Sequence, residues 1–251
     1  MKLAIDVGNT LTKVALFQNS DLKELHTFEN FNLNNLKQIL WELEGKDNKV
    51  TYSIISSVKK YDSEIKKFLS KNYYFIELFS KISLPVTIMY KTPETLGNDR
   101  IAGICGASAT FPGENILVID AGTCVTFDFI DKEKNYFGGG ISPGIDIRFK
   151  ALNTFTGNLP LVNRADNFDL IGSSTTESIR SGVLNGILAE IEGIIWRYKG
   201  EFGQLRIIFT GGDTIFFDKR LKNDIFALPN LVLIGLNEIL DFNINKSTAI
   251  L

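Results

Sequence analysis

In the first sixty positions, apolar residues come in short runs parted by polar turns. Leu3, Ala4 and Ile5 form one run and Val14, Ala15, Leu16 and Phe17 another, each too short for a helix. Strands are therefore predicted at 2–7, 11–18 and 22–28. The period then changes: Leu36, Ile39, Leu40 and Leu43 share one face of a helix starting at 32 or 34 and ending at 43, with Asn34 as a cap. An apolar, β-branched strand over 50–58 ends in Ser56-Ser57. A charged helix over 61–70 follows, turning Ile65, Phe68 and Leu69 inward. This β-β-β-α-β-α order specifies an α/β layout with a mixed sheet. Short strands at 73–76 and 86–90 lead to a loop punctuated by Pro93 and Gly97. The helix expected over 100–110 carries Gly103, Gly106, Ala107 and Ala109, so it is thin enough for close packing.

Phe111-Pro112-Gly113-Glu114 reads as a hinge that divides the chain into 1–112 and 113–251. The second part opens with its own hairpin and continues through a strand at 136–141. It then crosses Gly138-Gly139-Gly140 to Ser142-Pro143-Gly144 and enters a helix over 145–153. The longest helix is expected over 174–199, with a stripe of Ile179, Val183, Ile187, Ile191 and Ile194. Its start, Gly172-Ser173-Ser174-Thr175-Thr176-Glu177, has the form of a capping box. A strand at 205–210, the turn Gly211-Gly212-Asp213 and two short elements at 231–234 and 235–242 complete the pattern.

The first turn, Asp6-Val7-Gly8-Asn9-Thr10-Leu11-Thr12-Lys13, has the make-up of a phosphate-handling hairpin. Gly8 lets a ligand oxygen approach main-chain N–H groups, and Asn9, Thr10 and Thr12 add neutral hydrogen-bonding groups. Lys13 supplies a point charge, and Asp6 suits a hydrated divalent cation. A single Asp-x-Gly-Asn is ordinarily only a hairpin with an Asx turn. A second copy changes the balance: Ile119-Asp120-Ala121-Gly122-Thr123-Cys124-Val125-Thr126 repeats the scheme about half a chain later. Duplication on that scale implies two similar domains, whose turns would clamp a polyphosphate between them.

Composition narrows the chemistry further. The 251 residues, 44% hydrophobic, suffice for two ordinary domains, and a net charge of −2 offers no basic surplus for gripping nucleic acid. No apolar run reaches transmembrane length and no leader pattern opens the chain, so a cytoplasmic protein is expected. Cys105 and Cys124 read as free thiols, and the single histidine, His26, excludes His-ligated zinc and Ser-His-Asp chemistry. Catalysis must then use carboxylates, amides, hydroxyls and cations.

Gly97-Asn98-Asp99-Arg100 lies at a loop-to-helix junction. An Asp beside an Arg there is commonly a cap with a weak surface ion pair. With two phosphate turns in the same chain, a second role gains weight, in which Asp99 orients and deprotonates a substrate hydroxyl and Arg100 binds an acidic group. A carboxylate suffices because phosphoryl transfer has a loose transition state.

Taken in order, the motifs are Asp6-x-Gly-Asn-Thr-x-x-Lys13, Tyr90 ahead of Pro93-x-x-x-Gly97-x-Asp99-Arg100, Asp120-x-Gly-Thr-x-x-Thr126, Gly138-Gly-Gly-Ile-x-Pro-Gly144, Gly172-x-x-Thr175 and Gly211-Gly-Asp213. Together they resemble the type III pantothenate kinases of the acetate-kinase, sugar-kinase, Hsp70 and actin superfamily. That resemblance implies two actin-like (ribonuclease H-like) domains, each a mixed sheet flanked by helices, with a cleft between them. It implies transfer of the γ-phosphoryl group of ATP to the 4′-hydroxyl of pantothenate, with Asp99 as proton acceptor. Residues 6–13 and Thr123 would bind ATP, with Asp6 near Mg²⁺. Tyr90, Gly97, Asn98, Arg100 and Thr175 would line the pantothenate site, with Thr176 as the alternative to Thr175. Asp120 would hold a monovalent cation, K⁺ or NH₄⁺, and a homodimer is expected. The rivals are a kinase of the same superfamily with another acceptor and a non-catalytic, nucleotide-binding transcriptional accessory factor.

Overall fold

The computed structural model describes residues 1–44, 49–79, 82–222 and 224–248. Its elements run β1 (Lys2–Val7), β2 (Thr12–Gln18), β3 (Asp21–Phe28), α1 (Leu33–Glu44), β4 (Tyr52–Ser57), α2 (Ser63–Asn72), β5 (Tyr74–Glu77), β6 (Thr87–Ile88) and α3 (Asn98–Thr110). They continue with β7 (Ile116–Ala121), β8 (Cys124–Ile130), β9 (Asn135–Pro143), α4 (Ile145–Thr154), α5 (Thr175–Phe202), β10 (Arg206–Thr210), α6 (Thr214–Asp218), β11 (Phe226–Ala227) and α7 (Leu231–Thr248). Two units result, one of Met1–Pro112, Lys134–Tyr136 and Asn230–Leu251, the other of Gly113–Glu133 and Phe137–Pro229.

In the first unit the strand order is β3-β2-β1-β4-β5. β1 is antiparallel to β2 and parallel to β4, so the sheet is mixed, as the element order requires. Side chains alternate between faces. Leu3, Ile5, Val7, Val14, Leu16 and Ile55 bury themselves against Leu36, Ile39, Leu40 and Leu43 of α1 and Ile65 and Leu69 of α2. The opposite face, which carries Lys2, Ala4 and Asp6, is covered by α7 and α3. Lys2 fixes that cover with an ion pair to Asp241 of α7 at 2.5 Å. β6 pairs with Asn135 and Tyr136, the first residues of β9.

The second unit repeats the plan, with strands in the order β11-β10-β7-β8-β9. Here β7 is antiparallel to β8 and parallel to β10. Leu117, Ile119, Val125 and Phe127 pack on Ile145 and Phe149 of α4 and on Ile179, Val183, Leu184, Ile187, Ile191 and Ile195 of α5. The expected stripe on α5 is present, but Ile195, and not Ile194, closes it. The glycine run of β9 serves packing: a Cβ at Gly139 would lie 1.6 Å from the Phe127 carbonyl oxygen.

The C-terminal segment departs from the sequence pattern. Residues 231–234 and 235–242 are one helix, α7, which packs within the first unit although it follows the second in the chain. Gly235, the first residue of the second of those two elements, is the point of closest approach to α3. A Cβ there would lie 1.7 Å from the Ala102 carbonyl oxygen, and one on Gly106 would lie 2.6 Å from that of Leu231. Where α3 and α7 meet, the thin face expected on α3 is used.

Candidate functional site

Asp6 is the penultimate residue of β1, and its register partners are Lys13 on β2 and Ser56 on β4. Laterally paired residues point to the same face of a sheet, so one row carries Lys13, Asp6 and Ser56 on the side covered by α3 and α7. The turn that follows is tight: Gly8 N–H donates to the Leu11 carbonyl at 3.1 Å. A Cβ on Gly8 would press on that same oxygen at 2.9 Å. Only glycine lets the backbone close here. Val7 and Thr12 are buried, whereas Asn9, Thr10 and Leu11 are exposed at the turn. A second ammonium joins the turn from a distant part of the chain, since Lys59 Nζ donates to the Asn9 carbonyl at 2.9 Å.

β4 also ties this turn to the start of α3. Ser57 Oγ bonds the Lys59 carbonyl, and Asn98 Nδ2 donates to the carbonyls of Ser57 at 3.4 Å and Leu78 at 3.0 Å. The first turn of α3 is thereby anchored to the strand that neighbours Asp6. That helix starts at Asn98, two residues earlier than the pattern predicts, so Asp99 and Arg100 stand inside its first turn. Gly97 precedes it as the cap residue, and a Cβ there would lie 2.5 Å from Asp99 Oδ1, so glycine leaves room for the carboxylate. Asp99 Oδ1 accepts from the Arg100 N–H at 2.8 Å, and the side chain remains half-exposed. Arg100 is buried, with its guanidinium 5.8 Å from the centre of the Tyr90 ring. Asp6, Lys13, Tyr90, Asn98, Asp99 and Arg100 therefore all belong to the first unit.

The second unit holds the remaining candidates. Asp120 occupies in β7 the place Asp6 has in β1, with Thr126 and Thr210 as register partners. Gly211, at φ +94°, folds over it: a Cβ there would lie 2.4 Å from Asp120 Oδ1 and 2.2 Å from the Ala121 carbonyl oxygen. Asp213 N–H closes the turn onto that carbonyl at 3.0 Å. Arg164 pins the same turn through Asp213 at 2.5 Å and reaches Asp146 at 2.8 Å. Thr123 is exposed, and its carbonyl accepts from Gly144 N–H at 3.0 Å.

Thr175 begins α5 beside a cavity of about 1110 Å³. Its lining includes apolar Ala151, Leu152, Phe155, Ile179 and Val183 and polar Arg148, Ser173, Ser174 and Thr175. Thr175 is among its lining residues and Thr176 is not. Arg148 is fixed by Glu190 at 2.5 Å and by Ser142 Oγ at 2.9 Å. The capping box forms: Ser174 Oγ accepts from Glu177 N–H, and Glu177 accepts from Ser173 Oγ at 2.6 Å and from its N–H at 2.9 Å. These bonds from Ser173, side chain first, hold the Glu177 carboxyl below the usual carboxylate range. A lowered folded-state pKa contributes stability above the unfolded value and loses it as pH falls through the folded one. Glu177→Ala is therefore expected to loosen the 172–174 segment at neutral pH, and the difference from wild type should vanish in acid. If the start of α5 binds a substrate, the variant's KM for that substrate rises with little change in kcat; an unchanged KM speaks against such a role.

Among the described residues, no group of three His, Cys, Asp or Glu side chains converges as a metal cage. The donor set instead suits hard cations held by one carboxylate each, with water and ligand oxygens supplying the rest, the usual habit of magnesium at phosphates. Lys59, Ser57 and Arg148 escaped the sequence reading. Lys59 meets Asn9 across fifty positions and carries no local signal, while Ser56-Ser57 stood out only as a strand end.

A family profile described as type III pantothenate kinase matches residues 2–197. A type III pantothenate kinase from Christiangramia forsetii is 47% identical over 97% of this chain and 99% of its own. One from Phocaeicola vulgatus is 43% identical, covering 97% and 99%. Among solved structures, a Baf family transcriptional activator from Campylobacter jejuni superposes with a TM-score of 0.61 at 23% identity, covering 97% of this chain and 99% of its own. The (R)-2-hydroxyglutaryl-CoA dehydratase component A from Acidaminococcus fermentans gives 0.53 at 13%, covering 98% of both. These two likenesses concern the fold, which is α/β and actin-like.

Proposed function

This chain belongs to the type III pantothenate kinase family, and from that premise we propose how its residues divide the work of phosphorylating pantothenate. The enzyme is a pantothenate kinase that uses ATP and forms 4′-phosphopantothenate, the opening step of coenzyme A synthesis. The observation that carries the assignment of roles is the anchoring of the Asp99 loop, through Asn98, to the strand beside Asp6.

Residues 6–13 hold the ATP phosphates, with Gly8 admitting them to the backbone and Lys13 balancing their charge. Asp6 faces Mg²⁺, which when bound neutralises charge on the phosphate oxygens. Thr123 touches the nucleotide, and Asp120 holds a monovalent cation, K⁺ or NH₄⁺. Arg100 binds the pantothenate carboxylate, its burial and its seat over Tyr90 limiting the directions it can take. Gly97, Asn98 and Tyr90 line the pantothenate site beside it, and Thr175 contacts pantothenate. Asp99 orients the 4′-hydroxyl and accepts its proton late, as the phosphoryl group arrives, so position counts for more than basicity.

We also propose a homodimer. The second unit exposes Phe155, Leu170 and Ile171 at 85%, 78% and 82%, apolar side chains that association with a second copy would cover. Light scattering on the purified protein reads this directly. Free Cys105 and Cys124 suit a reducing cytoplasm, and burial raises the Cys105 thiol pKa well above its ordinary value.

ADP release with Mg·ATP should rise on adding pantothenate in potassium buffer, stay at background with glucose or acetate, and fall at least several-fold when sodium replaces potassium. Stimulation by a sugar instead of pantothenate would reassign the acceptor. Equal rates in sodium and potassium would remove the role given to Asp120.

A further inference from the structure

Ser56 lies in β4 with 1% of its surface exposed, and its Oγ has no hydrogen-bond partner among the described residues. A buried hydroxyl left without a partner is costly, and alanine would occupy nearly the same space without that cost. A use elsewhere in the working cycle would account for it. In the sheet register Ser56 stands directly beside Asp6 on the neighbouring parallel strand, about 4.8 Å away, with both side chains on one face. Among the described residues no strand residue flanks it on the other side, because the pairing of β4 with β5 ends at Ile55 and Glu77. Asp6 is thus the hydrogen-bond acceptor its own row provides.

The second unit makes the same juxtaposition independently. Thr210 on β10 is the register partner of Asp120 and is only 2% exposed. In each copy of the duplicated plan, a buried hydroxyl residue on the parallel strand sits beside the carboxylate at the penultimate position of the first strand. Neither position needs a hydroxyl for its strand, since apolar β-branched residues fill the rows before them, Ile54 and Ile55 in β4 and Ile207 and Ile208 in β10.

We propose that Ser56 is a positioning residue: in the nucleotide-bound enzyme its hydroxyl donates to the Asp6 carboxylate and holds it in the orientation the magnesium–triphosphate requires. The side chain need not touch the ligand, which agrees with its burial. Partners of this kind, standing behind a group that faces a metal, commonly govern affinity by about 10-fold or more. The inference rests on the reading of Asp6 as the residue facing Mg²⁺.

The test compares wild type, Ser56→Ala and Ser56→Thr by calorimetric binding of ATP with and without Mg²⁺, alongside thermal melting. The expected result is that Ser56→Ala melts at or above the wild-type temperature yet binds Mg·ATP about 10-fold more weakly. Its affinity for metal-free ATP stays unchanged, and Ser56→Thr, which keeps the hydroxyl, recovers most of the loss. Wild-type Mg·ATP affinity in Ser56→Ala overturns the inference while leaving the role of Asp6 intact. A lowered melting temperature with equal losses for metal-free and magnesium-bound ATP also overturns it, because that pattern is merely structural. If wild type itself shows no magnesium dependence in nucleotide binding, the reading of Asp6 falls and this inference falls with it.

Discussion

Asp99→Asn lowers kcat by about 10²–10⁴-fold, the usual worth of a positioned proton acceptor, while ATP binds as in wild type. That loss corresponds to roughly 2.7–5.5 kcal/mol of barrier. The substitution is informative because it spares the fold. Asp99 Oδ1 accepts from the Arg100 N–H at 2.8 Å, and an asparagine carbonyl accepts the same bond, so the first turn of α3 and the seat of Arg100 persist. What disappears is the negative charge that receives the hydroxyl proton. Steady-state turnover with calorimetric ATP binding checks both halves of the expectation. Turnover within a few-fold of wild type would show that Asp99 only steadies the first turn of α3 and that the proton leaves by another route.

The second large effect concerns packing. Replacing a helix-interior glycine with alanine usually stabilises by about 1 kcal/mol. At Gly235 the sign should reverse, since the new methyl would lie 1.7 Å from the Ala102 carbonyl oxygen and 2.9 Å from the Gly106 nitrogen. Both obstacles are backbone, so relief requires α3 and α7 to separate. A loss of about 3 kcal/mol or more follows, read as a melting temperature lowered by roughly 6–12 °C. Gly193→Ala on α5 is the control: its Cβ would meet nothing within 4 Å, and the ordinary gain should appear. Because α3 carries Asp99 and Arg100 in its first turn, moving it by about 1 Å should also cost on the order of 10²-fold in turnover. A Gly235→Ala protein as stable as wild type would mean that the helix contact is not tight.

Much of this architecture is legible along the chain, for reasons specific to each element. The stripe from Ile179 to Ile191 announces α5 because a four-residue spacing keeps one side of a helix apolar over several turns. The unbroken apolar runs of β1 and β2 appear because both faces of their sheet are covered, by α1 and α2 on one side and by α3 and α7 on the other. Gly235 misleads for an equally physical reason. A glycine read locally is a weak point in a helix, and its value here lies in a neighbouring backbone a hundred and more residues away. The small elements α6 and β11 lack enough turns or pairs to leave a period.

The candidate site divides along the same line. Asp6, Gly8, Lys13, Asp99, Arg100 and Asp120 stand in compact motifs whose chemistry can be read from residue type and spacing. Lys59 and Ser56 do not. The ammonium reaches Asn9, and the hydroxyl comes to lie beside Asp6, only once β4 is laid parallel to β1.

By itself, the sequence determined the alternation of strands and helices, the duplication of the acidic glycine turn and the type of chemistry, because these depend on neighbours within a few residues. Tertiary structure alone decided that α7 closes the first unit, that Gly235 is a contact and not a break, and that a serine stands behind the first carboxylate. Those outcomes depend on which strand pairs with which, and on how closely two helices approach. No local pattern encodes that, because the groups involved are brought together only when the chain has folded.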